Sequence, residues 1–314
     1  MSMKVERLFK RFIDDHRLSL QPIEDLEYIE YALKTTGKYD EWTEFVNRVK
    51  ERFNDNVEEY FKYYGEVKES FLNSVKNSVE FIKFNQRDMN EFKIEKPNVS
   101  KSIYTKENDG KYFLSIDLKQ ANFQALKYCG LFKDYNSWED LIGNFTDFPE
   151  LINSKYMRSV LFGQLNPSRH ITIESYLINN LRPYFTNLIP YIKLVMMASD
   201  EMVFEIDSEF NTIKTIPTLD QLREDVYEKY DLKITADVFQ LKRHALLFKK
   251  SNREVEFFEK DRLMKGIEIT LHCIPSTYYL LAYKLFNKQE LDDLDFLIEH
   301  DGIEAEITEA VELI

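Results

Sequence analysis

IKLVMMASDEMVFEI, residues 192–206, is the stretch that decides the predicted fold. Two apolar runs flank a polar turn that carries Asp200 and Glu201 side by side. Apolar runs of this length, joined by a short polar turn, are typical of a β-hairpin. The stretch therefore predicts two antiparallel strands with two carboxylates at their connection. Taken alone, the acidic pair is better explained as an ordinary surface turn.

SIYTKENDGKYFLSID, residues 102–117, predicts another hairpin earlier in the chain. Its two β-type runs, residues 102–105 and 112–116, are separated by Asn-Asp-Gly, which favours a tight turn. The second run ends at Asp117, where the apolar spacing becomes helical in QANFQALKYCGLF. Because adjacent strands lie about 4.8 Å apart, a shared sheet is expected to bring Asp117 close to Asp200.

Helical patterns precede and interrupt these strands. Residues 3–85 predict helices with breaks at Gln21-Pro22 and Thr36-Gly37. Residues 131–191 are mainly helical in pattern, with turns predicted at two further positions. These turns are at Asn166-Pro167 and Arg182-Pro183.

The order of the elements predicts the fold class. A helix over residues 219–230 and a strand over residues 233–241 complete the series. We therefore expect an α+β fold, in which helices back one antiparallel sheet and further helices lie before it and inside it. The expected regions are 1–98 (helical), 99–130 (first part of the sheet), 131–191 (helical insert), 192–245 (second part of the sheet) and 246–314 (extension with an acidic end).

Composition limits the class of protein. The chain has 314 residues, two cysteines and a net charge of −13. No apolar run is long enough for a transmembrane helix, and the charged first residues do not resemble a secretory signal. We therefore expect a soluble protein in a reducing compartment, with no membrane partner.

The charge is unevenly distributed. Residues 288–314 hold ten acids and one lysine, so a phosphate-bearing ligand elsewhere is not excluded. This acidic segment is expected to be a short helix or a loose end. It would be a solvated surface, or would occupy a basic groove in place of nucleic acid, or would dock a protein partner.

Two carboxylates brought together by the sheet would repel each other unless a cation lay between them. Mg²⁺ (or Mn²⁺) needs only one or two protein carboxylates, because phosphates and water complete its coordination. Paired ions of this kind support in-line displacement at phosphorus. Asp117 and Asp200 are therefore candidate metal ligands.

Three segments resemble family A DNA polymerases of the bacterial polymerase I type. DLKQANFQALK (117–127) is similar to the first palm motif, KYMRSVLFGQL (155–165) to the fingers helix, and SDEMVFEI (199–206) to the second palm motif. The resemblance covers about residues 99–241. It implies a palm-like sheet, a thumb-like helical region before it and a reduced fingers insert. It also implies a compact variant without a proofreading exonuclease, such as a phage encodes, in the cytoplasm of a bacterium or an infected host.

The resemblance assigns roles to individual residues. Asp117, Asp200 and the backbone carbonyl of Leu118 would hold the metal ions, and Glu201 would lie near the primer end. The incoming nucleotide would be contacted by Arg158, Lys155, Phe162, Gln120 and Asn122. Side chains expected to contact nucleic acid, with an ordinary solvated surface as the alternative, are Arg169, Lys242, Arg243, Lys249 and Lys250.

The segments also depart from the family. Ser199 and Ser154 stand where the family has a His and an Arg, and Asn122 replaces a Glu that excludes the ribose 2′-hydroxyl. We therefore expect a template-directed nucleotidyltransferase of low processivity and relaxed sugar selection, which uses a primer-template and nucleoside triphosphates. The alternatives are a catalytically inactive nucleic-acid-binding accessory subunit and a primase or RNA-synthesising relative.

Overall fold

A computed structural model describes residues 2–23, 25–189, 192–207, 217–262, 270–300 and 303–314. It has an α+β fold with a main antiparallel sheet, as the sequence predicts. In the described part of the chain, no helix is long and apolar enough to cross a membrane.

The first helices form a layer of their own. Side chains cap several of their N-termini: Asp25 accepts the N–H of Tyr28, and Asn56 accepts the N–H of Glu58. The breaks after α1 and α2 fall at the two predicted positions. The helices are α1 (Ser2–His16), α2 (Leu26–Thr35), α3 (Tyr39–Phe53), α4 (Val57–Lys76) and α5 (Val79–Gln86).

A second group of helices lies between the first strand and the hairpin. Asn166 has a left-handed φ of 62° and Pro167 begins the next helix, which confirms the predicted break there. The turn predicted at Arg182-Pro183 is wrong, because Pro183 lies inside a continuous helix whose buried face extends past it to Phe185. These helices are α6 (Ala121–Tyr128), α7 (Trp138–Ile142), α8 (Pro149–Ile152), α9 (Lys155–Phe162) and α10 (Pro167–Leu188).

The described strands of the main sheet pair in the order β2-β3-β1-β4-β5-β6, and β9 joins the free edge of β4. Neighbouring strands are antiparallel, and the hairpin predicted over residues 192–206 is confirmed. The strands of this sheet are β1 (Tyr112–Leu118), β2 (Lys193–Met197), β3 (Glu201–Ile206), β4 (Ile234–Phe248), β5 (Arg253–Arg262), β6 (Leu271–His272) and β9 (Val311–Leu313). The strands β7 (Leu297–His300) and β8 (Ile303–Glu306) pair with each other in a separate antiparallel sheet. Helices α11 (Leu219–Tyr230) and α12 (Tyr279–Phe286) precede β4 and β7.

The strand predicted over residues 102–105 does not form. The hydroxyl of Ser100 instead donates to the carbonyl of Ser102, which satisfies the backbone locally. A 3₁₀ turn follows at Lys106–Asn108, and the N–H of Gly110 donates to the carbonyl of Leu241 at 2.8 Å. The Asn-Asp-Gly sequence therefore directs the chain onto β4 rather than into a hairpin.

The long strand β4 continues through the expected boundary at residue 245. Its first half pairs with β1, and on the same edge Leu246, Leu247 and Phe248 pair with β9. The acidic segment is therefore neither a helix nor a loose end, since β7, β8 and β9 all lie within it. In an extended strand, successive side chains of β9 point to alternate faces. The second half of β4 has N–H and C=O groups that β1 does not reach, and β9 pairs with them.

The two faces of the sheet differ. Leu114, Ile116 and Leu118 of β1 enter the main core, where they pack with residues of the helices. Phe113 packs on the opposite face, and the alternation of a strand places Asp117 on that face with it. The end of β1 therefore places a carboxylate on the face away from the main core.

Candidate active site

A cleft of about 580 Å³ opens at the end of β1. Asp117 pairs with Glu201 of β3 on one side and with Thr235 of β4 on the other. The N–H of Leu118 donates to the backbone carbonyl of Asp200 at 2.9 Å, which fixes the β2–β3 turn beside β1. Asp117 and Asp200 consequently line the same cleft, together with Leu118.

The environment of Asp117 disfavours its charge. Burial, followed by the neighbouring Asp200 and Glu201, raises the pKa of Asp117 to about 7. Two contacts act in the other direction, since Thr235 donates its hydroxyl to Asp117 at 3.3 Å and Arg17 is a nearby cation. Without a compensating cation, this carboxyl is therefore half protonated near neutral pH.

Hydroxyl groups hold the other two acids. Ser115 donates to Glu201 Oε1 at 2.6 Å, so Glu201 is fixed on the sheet face instead of lining the cleft. Ser199 donates to Asp200 Oδ1 at 3.2 Å. Ser199, which departs from the family pattern, thus orients the carboxylate that follows it.

Helix α9 supplies the basic wall of the cleft. Lys155 and Arg158 both line it, as the sequence predicts. Arg158 Nε is buried without a hydrogen-bond partner, and no carboxylate of the described residues forms an ion pair with its guanidinium. Burial lowers the pKa of Arg158, while Glu139 opposes the shift. The guanidinium therefore has donors available for an anionic ligand.

Arg17 is a cleft residue that the sequence pattern does not identify. It follows α1, has a left-handed φ of 51° and lines the cleft together with Asp117 and Arg158. It lies about a hundred positions from β1, and only the packing of α1 against α9 brings it there. Its charge opposes the rise in the pKa of Asp117 and contributes to the lowered pKa of Arg158.

A buried pair, His170 and Glu174, also contributes to the cleft lining. His170 Nδ1 lies 3.0 Å from Glu174 Oε1, and Nε2 lies 3.2 Å from the carbonyl oxygen of Phe162. Both ring nitrogens therefore lie within hydrogen-bond distance of an oxygen atom, which fixes the orientation of the imidazole. The one signal in the sequence is the i,i+4 spacing of the two residues on α10.

Gln120 and Asn122 lie in the cleft at the start of α6, where they were expected. Gln120 has a left-handed φ of 57°, donates to Glu139 Oε1 at 2.7 Å and accepts the N–H of Trp138 at 3.1 Å. Asn122 Oδ1 accepts the N–H of Phe123 at 2.9 Å. Gln120 is therefore tied to α7, while the amide nitrogen of Asn122 makes no hydrogen bond to another described residue.

Phe162 does not face the cleft. Its side chain is 0% exposed, and its ring centroid lies 5.6 Å from that of Trp138. The prediction that Phe162 packs against a nucleotide is wrong for this arrangement, because α9 turns Met157, Leu161 and Phe162 together into the core.

Ser154 and Arg169 have structural contacts as well. Ser154 caps α9 through the N–H of Met157 at 2.8 Å and accepts a bond from Arg11 at 2.6 Å. Arg169 donates to the backbone carbonyls of Phe84 and Arg87. The expectation that Arg169 contacts nucleic acid is therefore corrected, since its guanidinium links α10 to the end of α5.

The basic cluster on β4 is largely neutralised. Lys242 pairs with Asp261, Arg243 with Glu256 at 2.5 Å, and Lys249 with Glu312. Consecutive strand residues also point to opposite faces, so Lys242 and Arg243 do not form one patch.

The turn after β4 is covered by the acidic segment. The backbone N–H groups of Lys250 and Ser251 donate to Glu309 at 2.9 and 2.8 Å. Lys250 itself is exposed, but its charged neighbours in the predicted cluster are paired. The expectation that this cluster follows a phosphate backbone is therefore corrected.

The oxygen donors of the cleft suit a hard cation. Among the described residues, no group of three or more His, Cys, Asp or Glu side chains has the arrangement of a metal site. Asp117 and Asp200 supply carboxylate oxygens, which Mg²⁺ and Mn²⁺ prefer. A cation would offset both the burial and the repulsion by Asp200 and Glu201 that raise the pKa of Asp117. An ion here would need further oxygens from a ligand and from water.

Comparison of the chain with protein-family models, curated proteins and solved structures finds no match. The chemistry of the cleft is therefore the basis for assigning a function. Asp117, Asp200 and the unpaired guanidinium of Arg158 line one opening.

Proposed function

We propose that the chain is a Mg²⁺- or Mn²⁺-dependent nucleotidyltransferase that adds nucleotides to the 3′-hydroxyl of a primer on a template. One observation carries the proposal: Asp117 and Asp200 line a cleft that also contains the unpaired guanidinium of Arg158. Bound metal ions would balance the two carboxylates, and an anion would pair with the guanidinium. A triphosphate with its metal ions supplies both.

Each residue has a distinct task in this proposal. Asp117 and Asp200, with the carbonyl of Leu118, would hold the ions. When bound, these would lower the pKa of the primer hydroxyl and neutralise the triphosphate. Arg158 and Lys155 bind the phosphates.

The sugar and the primer end would be contacted by other residues. Asn122 lies in the cleft and has a free amide nitrogen, which suits contact with the sugar of the nucleotide. Glu201 is bonded to Ser115 on the sheet face and would lie near the primer end.

The wider fold supports the family resemblance under the same proposal. In this proposal the strands β2-β3-β1-β4 would form the palm, helices α1 to α5 the thumb, and helices α7 to α10 the reduced fingers. Because the palm-, thumb- and fingers-like regions are small, we expect them to bind the template weakly, and the enzyme therefore to have low processivity. The proposed setting is the cytoplasm.

A catalytically inactive accessory subunit is the second candidate. It is favoured by the burial of Phe162, a position expected to contact the nucleotide, and by Ser154, which stands where the family has an Arg and caps α9 instead. An RNA-synthesising relative is favoured by Asn122, which is shorter than the glutamate of the family and uncharged.

Extension of a labelled primer-template in Mg²⁺, with either deoxyribonucleotides or ribonucleotides, tests the proposal. We expect extension by the wild-type protein and its loss in Asp117→Asn and Asp200→Asn, with folding unchanged. Asp134→Asn is the matched control, since Asp134 is exposed, does not line the cleft and does not belong to a strand of the sheet. Full activity in Asp117→Asn would remove the site assignment. Template binding without extension would favour the accessory subunit.

A further inference from the structure

A second pocket, of about 550 Å³, adjoins the cleft. The two share the lining residues Lys119, Gln120 and Glu139, so they meet at the start of α6. The pocket is formed by the start of α6, the loop before α7, the end of α11 and the start of β4. Its basic residues are Lys119, Lys127, Lys133 and Lys233.

The pocket is basic although the protein carries a net charge of −13. Four lysines face only Glu139 and Asp231. Lys127 and Lys233 donate to the backbone carbonyls of Tyr135 and Asn136, both at 2.9 Å, so their positions are fixed while their charges remain.

The two other lysines are available to a ligand. Lys119 and Lys133 are exposed, and neither forms an ion pair within the described ranges. Glu139, the acid nearest the cleft, already accepts a hydrogen bond from Gln120 at 2.7 Å. The pocket therefore keeps positive charge that its own acids do not balance.

Aromatic side chains line the same pocket. Tyr128 and Tyr227 are each 49% exposed. Tyr230 is a third tyrosine of the lining. The Tyr128 ring also contacts those of Phe92 and Tyr176, whereas Tyr227 makes no ring contact with another described residue. Exposed tyrosines beside lysines combine a surface for base stacking with charges for phosphates.

The floor of the pocket is rigid. The side-chain amide of buried Gln124 donates to the carbonyls of Lys119 and Lys233, the latter at 2.8 Å. Its oxygen accepts the N–H of Lys233 at 2.7 Å. These bonds join the end of β1 to the start of β4, so the lysines are carried on backbone whose position is already set.

We propose that this pocket binds nucleotides of a single-stranded nucleic acid that continues into the cleft. The lysines contact its phosphates, and Tyr128 and Tyr227 stack on its bases. Backbone charge with aromatic stacking is how proteins hold single strands without reading their sequence. The inference rests on the proposed function of the cleft, but strand binding itself requires neither metal ions nor transfer.

Fluorescence anisotropy of a labelled oligothymidylate, titrated in EDTA at several salt concentrations, tests this pocket. The charge variant is Lys119→Ala/Lys133→Ala. Its matched control is Lys62→Ala/Lys76→Ala, which removes two exposed lysines of α4 that line neither opening. For single strands, each lost phosphate contact reduces the slope of log K against log salt by about 0.7, so the first pair should reduce it by about 1.4. The control pair should leave it unchanged.

The stacking variant is Tyr227→Ala, with Tyr227→Phe as its control. Loss of one stacked base should weaken binding about 5- to 140-fold, whereas phenylalanine retains the ring face and should retain affinity. Thermal unfolding of every variant checks that folding is unchanged.

Several outcomes overturn the proposal: equal losses in the two lysine pairs, unchanged binding in the first pair, or displacement of the oligonucleotide by an equal concentration of a free nucleoside triphosphate. Failure of the pocket and failure of the proposed function are distinguishable. Strand binding that depends on Lys119 and Lys133, without primer extension, retains the pocket and removes the transferase. Primer extension, together with strand binding that the Lys119 and Lys133 substitutions do not alter, retains the transferase and removes the pocket.

Discussion

Replacing Asp117 by asparagine should make the metal-free protein more stable at alkaline pH. The amide side chain carries no charge at any pH, whereas the aspartate must ionise beside Asp200 and Glu201. A pKa of about 7 in the folded state, against an ordinary value of 3.8, corresponds to about 4 kcal/mol at 1.36 kcal/mol per pH unit. Solvent in the half-exposed cleft screens this interaction, so we expect a gain of about 2 kcal/mol.

The sign of the effect determines its pH range. Below pH 3.8 the carboxyl is protonated in both the folded and the unfolded states, so the substitution relieves no charge repulsion. The penalty on the wild-type protein grows as the pH rises from there to about 7, and is constant above that value. The advantage of Asp117→Asn should therefore increase through this range and then level off.

Urea unfolding in EDTA, at about pH 5 and about pH 8, measures the effect. Asp134→Asn serves as the control and should show no such pH dependence. Saturating Mg²⁺ should reverse the order, because a ligand at about 100 times its Kd stabilises the protein that binds it by about 2.7 kcal/mol. A variant that is less stable than the wild type at pH 8, or a difference that does not change with pH, would refute the reasoning.

Three further substitutions test the other parts of the site. Phe162→Ala should lower the free energy of unfolding by about 3–5 kcal/mol in a urea titration, because it empties a fully buried position; a small loss would indicate that the ring is outside the core. Arg158→Gln should leave the unfolding free energy unchanged or raise it, yet weaken triphosphate binding about 10- to 100-fold by calorimetry, since it removes an unpaired guanidinium. Glu309→Gln should speed amide hydrogen exchange at Lys250 and Ser251 by weakening the bonds that both N–H groups donate, whereas unchanged exchange would contradict those bonds.

Local features of the fold could be predicted from the sequence. The β2–β3 hairpin, the end of β1 at Asp117 and the helix after it all depend on residue spacing and turn residues within about fifteen positions. The break before Pro167 has the same local origin. Asp117 and Asp200 could be expected near each other because each lies at the end of a locally predicted strand, and neighbouring strands of one sheet are about 4.8 Å apart.

Features that depend on packing could not be predicted in this way. Phe162 has the spacing expected of a cleft residue, but its ring packs in the core against the ring of Trp138. Arg17 enters the cleft only because α1 packs on α9. Pro183 stays helical because the buried face of α10 continues beyond it, a gain that outweighs the local cost of about 3 kcal/mol. Each of these outcomes is decided by partners that are distant in sequence.

The pairing of β1 with β4 has a consequence for synthesis on the ribosome. Strand β1 ends at Leu118, but its partner begins only at Ile234. At roughly 5–20 residues per second, translation of the intervening segment takes on the order of ten seconds. During this interval one edge of β1 has no partner strand, because β3 pairs only with the other edge, and an unpaired strand edge is prone to pair with other chains. Slow codons placed between the two strands should therefore increase aggregation of the nascent chain.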